Sequence, residues 1–206
     1  MTDASLAKQI SNRAAVAGLT LDSHVVDGCA AYVALLARWN RRINLTALPL
    51  ANPIPDSSID KLVVEPLLAA ALFPPGELTW IDLGSGGGSP AIPLRIARPA
   101  GSLRMVESRE RKCAFLRETI RTLGLKRTEA TAVRFEDLSV SHSADFITLR
   151  AVRIDGRFLE VLKGLLGPNG LMLSFGSPVL DPRFRTEGER LLPDNSTLFL
   201  VRRAVV

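Results

Sequence analysis

The sequence predicts an α/β protein built on a mostly parallel, doubly wound sheet, with a small helical appendage ahead of it. Three observations predict this. Up to about residue 73 the apolar residues recur at helical spacing. From residue 78 onward, short apolar runs alternate with amphipathic segments, the pattern of strands joined by right-handed crossover helices. Between the two regimes stands Pro74-Pro75-Gly76, a breaker cluster. The chain therefore divides into a helical appendage, residues 1–75, and a sheet domain, residues 76–206. A length of 206 residues suits one main domain with a small addition.

In the appendage, residues 25–43 place Val25, Cys29, Val33, Leu36 and Ile43 on one stripe, with Arg38, Arg41 and Arg42 away from its centre. Asn40 falls within that stripe. An unpaired amide there would cost about 1–3 kcal/mol, so Asn40 needs a backbone or ligand partner. Residues 49–58, with three prolines, read as a loop, and 59–72 as a helix.

The sheet domain opens with a strand over 78–83. A helix over 89–97 carries Pro90 in its first turn, where the missing N–H does no harm. Residues 103–107 form a second strand and 109–123 a second helix. Its buried face is Cys113, Leu116, Ile120 and Leu123; Arg111, Arg117 and Arg121 share the solvated face with Glu110 and Glu118. Strands follow at 130–133 and 145–149, a helix at 153–166, a turn at Gly167-Pro168-Asn169-Gly170 and a fifth strand at 171–175. A last apolar run covers 197–201.

Composition narrows the function classes. Hydrophobic residues make up 47% and charged residues 23%, which excludes disordered, collagenous and disulfide-rich classes. The longest apolar stretch has seven residues, 67–73, against the roughly 20 that a bilayer needs. The N-terminal MTDASLAKQI has neither a basic n-region nor an apolar h-region, so no signal peptide is expected. Cys29 and Cys113 stand 84 positions apart without a CxxC pair, so a reduced, metal-free cytoplasmic protein is expected. The first 77 residues carry six Lys/Arg against seven Asp/Glu, the remainder 20 against 14. Arginines outnumber lysines 21 to five, which permits a polyanionic partner and equally fits a GC-rich genome.

The sharpest motif is Asp82-Leu83-Gly84-Ser85-Gly86-Gly87-Gly88-Ser89-Pro90, between the first strand and the first crossover helix. Open α/β sheets bind ligands at that edge, and the following helix offers free N–H groups to an anion. Ser89 stands where a dinucleotide fingerprint has its last Gly/Ala, and the loop lacks the Lys of a P-loop. What remains is a loop suited to the methionine moiety of S-adenosylmethionine. Asp82 would meet its ammonium, directly or through water. Glu107, 23 residues past Gly84, sits at the distance of a ribose-bridging acid. Glu136-Asp137 would reach the adenine side. His24 and His142 lie in no recognisable site.

Four segments then resemble a known family, the bacterial small-subunit (16S) rRNA methyltransferase G family (glucose-inhibited division protein B). They are Asn40 to Ala47, similar to "NxxxNLTA"; Asp82 to Leu94, similar to "DxGTGAGFPGIPL"; Glu107-Ser108 with Arg111-Lys112 and Phe115-Leu116, similar to "DSxxKRxxFL"; and Leu149-Arg150-Ala151, similar to "SRA". The chain departs from the pattern at Leu62 and Pro66, where "HxxDSL" has His and Ser, and at Phe175, where a lysine is expected.

The resemblance implies a Rossmann-like class I methyltransferase that moves a methyl group from S-adenosylmethionine to N7 of a guanosine in small-subunit ribosomal RNA, free or in a ribosomal particle. It implies no membrane and no protein partner. By the same resemblance Gly84, Ser89, Phe135, Glu136 and Arg150 match cofactor-contacting positions and Glu107 the ribose acid; Ser85, Gly86 and Ser108 complete the expected set. Arg150 and Asn40 are the expected positioning residues, with no general base: Arg150 to hold substrate or cofactor, and Asn40, with Asn44, to brace the appendage against the pocket rather than touch the base. The competing readings are methylation of another nucleic acid or small acceptor, and a non-catalytic RNA-binding paralogue.

Overall fold

A computed structural model describes residues 3–138 and 144–204; His142 lies outside the described residues. Among the described residues, seven strands form one sheet in the order β3-β2-β1-β4-β5-β7-β6. These are β1 (Thr79–Leu83), β2 (Ser102–Glu107), β3 (Thr128–Ala132), β4 (Ala144–Arg150), β5 (Leu166–Phe175), β6 (Phe184–Leu191) and β7 (Thr197–Arg203). The first five run parallel, and β7 pairs antiparallel with β5 and β6. The strand order reverses between β1 and β4, which opens a crevice at their C-terminal ends. Register puts the crevice residues level: Leu83 lies opposite both Val106 and Leu149, so Gly84, Glu107 and Arg150 each follow one position later.

Helices α1 (Asp3–Val16) and α2 (Ser23–Asn40) pack on one face of the sheet with α5 (Ala91–Ala97) and α6 (Glu110–Thr122). The same hydrophobic cluster joins Ile10, Cys29, Val33 and Leu36 to Trp80, Leu103, Met105 and Phe146, so helices and sheet share one core. Helix α7 (Gly156–Leu165) covers the other face through Phe158, Leu162 and Leu165 against Ile147, Leu149 and Met172. Cys113 is fully buried among these apolar neighbours, as its place on the α6 stripe predicts.

The segment expected as a helix over 59–72 starts three residues earlier. It runs as α3 (Asp56–Ile59), a π turn (Asp60–Val64), α4 (Glu65–Ala69) and a 3-10 turn (Ala70–Leu72). Gly167-Pro168-Asn169-Gly170 does not separate α7 from β5 but bulges within the strand: Leu166 pairs with Ala144 and Leu171 with Phe146. The turn chemistry is real, yet it is accommodated inside a ladder that pairs on both sides of it. Two elements go beyond the sequence expectation. Helix α1 buries Leu6, Ile10 and Ala14 at four-residue spacing in an otherwise polar segment. Strand β6 is mostly polar and exposed, and stands at the sheet edge, where charged side chains deter pairing with other chains.

Candidate active site

The loop after β1 is held from three sides. Gly84 and Ser85 donate backbone N–H groups to the Val106 carbonyl at 2.9 and 3.0 Å, closing the loop over the end of β2. The Tyr32 hydroxyl of α2 donates to the Gly87 carbonyl at 2.7 Å. Gly88 has φ +89°, and a Cβ there would lie 2.8 Å from Ile92 Cγ1, so the first turn of α5 and the loop meet where only glycine fits.

Glu107 ties this loop to the next strand. Its Oε2 accepts from the Gly86 N–H at 2.9 Å and its Oε1 from the Arg109 N–H at 2.8 Å. Two cavities adjoin it, and Gly84 and Glu107 line both. The larger, about 390 Å³, is bounded by Ser85, Gly86 and Ser89 of the loop, Thr46 and Leu48, and Lys61, Lys112 and Arg150. The smaller, about 140 Å³, is lined by Ser108, Phe135 and Glu136.

Asp82 lies behind the loop. Its side chain is 1% exposed, and Oδ1 accepts from the Thr148 hydroxyl, which in turn accepts from Trp80 Nε1 at 2.9 Å. Among the described residues, Oδ2 is buried without a partner. Burial pushes this carboxyl up to about 6, against the hydrogen bonds of Ser85 and Thr148 and the charge of Arg150.

Arg150 forms the hub of the opposite wall. Nη2 meets Glu65 Oε2 at 2.7 Å, while Nη1 donates to the Lys61 carbonyl and to Ser89 Oγ, the latter at 3.3 Å. Its guanidinium lies over the ring of Phe175, 4.4 Å from the centroid. Phe175 is also its neighbour in the β4–β5 register. The aromatic residue in place of the family's lysine thus gives the buried arginine a face to rest on. Glu65 is fully buried with Oε1 unpartnered among the described residues, and burial pushes it up to about 7 despite Arg150 and Lys61. Lys61 also pairs with Asp194, in the turn between β6 and β7. Against the cost of burial, hydrogen bonds from Lys61 and Ser196 hold Asp194 well below the usual carboxylate range.

Of the residues expected from sequence, Gly84, Ser85, Gly86, Ser89, Glu107 and Arg150 meet at the larger cavity, and Ser108, Phe135 and Glu136 at the smaller. Asn40 lines neither. Its Oδ1 accepts from the Leu45 and Thr46 N–H groups at 2.8 and 3.0 Å, and Nδ2 donates to the Thr46 carbonyl at 3.1 Å. It braces the loop that forms the cavity's outer wall. His24 is exposed on α2. Sequence reasoning did not single out Lys61, Tyr32, Glu65 or Asp194. Lys112 belongs to a segment that carries the family resemblance, and Glu65 stands at the acid position of the stretch that departs from it; Asp194 meets Lys61 across 133 positions and leaves no local signal.

A family model for rRNA small subunit methyltransferase G (GidB) matches residues 27–178. Ribosomal RNA small subunit methyltransferase G of Syntrophotalea carbinolica is 35% identical over 165 residues, covering 78% of this chain and 73% of its own. The protein of that name from Xanthomonas oryzae pv. oryzae is 35% identical over 185 residues, covering 87% and 80%. Solved structures share the fold at lower identity. A SAM dependent methyltransferase from Aquifex aeolicus superposes with TM-score 0.55 at 17% identity, over 70% of this chain and 95% of that one. The mitomycin 7-O-methyltransferase MmcR superposes with TM-score 0.59 at 18% identity, over 88% and 71%. With the loop, the strand-end acid and the arginine of the fourth strand all in place, the chain belongs to the rRNA small subunit methyltransferase G family, whose members take their methyl group from S-adenosylmethionine.

Proposed function

We propose that this enzyme methylates N7 of a guanosine in small-subunit ribosomal RNA, working in the cytoplasm on free RNA or on a ribosomal particle. The observation that carries this reading is Glu107, fixed by two backbone N–H groups at the junction of two cavities at the topological switch point.

The residues present fit S-adenosylmethionine. The glycines of the loop leave room for its amino-acid end, and the unpartnered Oδ2 of Asp82 supplies negative charge behind that end, reached directly or through water. Glu107 and Ser108 would take the ribose, and Phe135 and Glu136 the adenine in the smaller cavity. When bound, the cofactor supplies a sulfonium-activated methyl group. Guanine N7 already carries a free lone pair, so the chain needs to hold no proton and provide no base; its task is alignment. Arg150 serves this indirectly. Anchored by Glu65, Phe175 and the Lys61 carbonyl, it holds Ser89 and the π turn against the cavity. Residues 45–48, braced by Asn40, form the wall on the acceptor side.

The test is calorimetry with S-adenosylhomocysteine, followed by methyl transfer to small subunits and to free rRNA from a strain lacking the gene, with the modified position mapped. Micromolar cofactor binding and a new 7-methylguanosine are expected. Cofactor binding with methylation of another acceptor would overturn the assignment of rRNA, and no binding would overturn the enzyme.

A further inference from the structure

Several arginines are paired with acids: Arg104 with Glu129, Arg127 with Glu77, Arg183 with Asp181 and Arg202 with Glu187. Six exposed ones are not. Among the described residues, no acid lies within ion-pair distance of Arg38, Arg41 or Arg42 at the end of α2, of Arg109 or Arg111 at the start of α6, or of Arg153 after β4. All six are exposed. Exposed arginines without an acidic partner are what a sugar–phosphate backbone neutralises.

A further cavity of about 480 Å³ lies beside Arg38 and Arg41, between α1, α2 and residues 50–54. Ala34, Ala37, Leu50 and Ile54 give it an apolar lining, and Arg38, Arg41 and Asn52 line it too. Asn40 lines it as well, so one side chain joins this cavity to the loop that walls the larger cavity at the active site. An apolar lining beside unmatched arginines has the chemistry that single-stranded RNA meets in its binding sites, where splayed bases lie against apolar or guanidinium planes and phosphates pair with cations.

Resting on the functional reading above, we propose that this cavity receives an unpaired nucleotide of the same RNA strand whose guanosine enters the active site. The base lies against the apolar lining at Ala37 and Leu50, and its phosphates pair with Arg38 and Arg41.

The test compares wild type, Ala37→Trp, which fills the cavity, and the surface double variant Arg38→Ala/Arg41→Ala. Each is measured for binding to small-subunit rRNA across a salt series and for S-adenosylhomocysteine affinity. Ala37→Trp is expected to weaken RNA binding about 10-fold. The double variant is expected to flatten the slope of log affinity against log salt by about 1.4–1.8, two phosphate contacts' worth. S-adenosylhomocysteine affinity stays at the wild-type value in both. Unchanged RNA affinity and slope with intact cofactor binding would overturn the proposal and leave the enzyme standing. A shift in sedimentation by Ala37→Trp with RNA affinity intact would make the cavity a contact between copies and overturn it too. Failure of the wild type to bind rRNA would instead bring down the functional reading itself.

Discussion

Glu107 joins a structural role to the ribose contact proposed for it. Its two oxygens already accept backbone N–H groups from the loops that follow β1 and β2, so it is rigid before any ligand arrives. Glu107→Ala removes the proposed ribose contact and frees the Gly86 N–H together. A charge-assisted hydrogen bond with its positioning is worth about 1.5–3 kcal/mol, so S-adenosylhomocysteine affinity should fall about 10–100-fold by calorimetry. Asp82 makes a different prediction. Burial raises its carboxyl to about 6, so near neutral pH it is mostly ionised and below that it takes up a proton. A ligand ammonium favours the ionised form. Cofactor affinity should therefore weaken as pH falls through about 6, and binding near that pH should release protons to the buffer. Asp82→Asn should bind more weakly at neutral pH and lose the pH dependence over this interval. A wild-type affinity flat between pH 5 and 8 would remove Asp82 from the ammonium site.

At the scale of elements, the site depends on contacts between helices and loops more than on any single strand. Asn40 ends α2 and satisfies two N–H groups and a carbonyl of residues 45 and 46. Asn40→Ala leaves these half-buried groups to compete for water, at about 1–3 kcal/mol of stability by denaturant titration. Because residues 45–48 line the larger cavity on the side proposed for the acceptor, KM for RNA should rise while S-adenosylhomocysteine affinity holds. Equal losses in both would place Asn40 nearer the cofactor than its hydrogen bonds do. What was legible at this scale follows the range of the signal. The stripe on α2, the core position of Cys113, the glycine turn and the acid 23 residues beyond Gly84 all depend on neighbours within one or two elements. The demand that Asn40 find a partner was also legible, since an amide on an apolar stripe must be satisfied. Helix α1, with three apolar anchors in a polar segment, and the edge strand β6 were not, because tertiary packing and pairing with β7 create them. Nor was the bulge at residues 167–170, whose turn residues read the same inside a strand as outside it.

For the whole molecule, burial and surface pairing pull on its acids in opposite directions. Asp82 and Glu65, buried, are raised to about 6 and about 7 from 3.8 and 4.5. Asp181, Glu118 and Glu187 are lowered by hydrogen bonds from arginines, and Asp194 by Lys61 and Ser196 against its burial. A raised acid keeps its proton in the folded chain after the unfolded chain has lost it. Between about pH 4 and 7 the folded state thus binds more protons, and stability falls as pH rises through that interval. The lowered acids act the other way: their contribution is present above the unfolded pKa and is lost as pH falls through the folded one. On these two acids the free protein should lose stability as pH rises toward neutral. Urea titrations across pH measure this, and Glu65→Gln with Asp82→Asn should flatten the neutral limb while leaving the acid limb in place. Saturating S-adenosylhomocysteine brings an ammonium toward Asp82, so the same titration with ligand should lessen the loss toward neutral pH. A loss that stays the same when the ligand binds would mean that Asp82 is walled off from the cofactor and that its buried charge serves the fold alone.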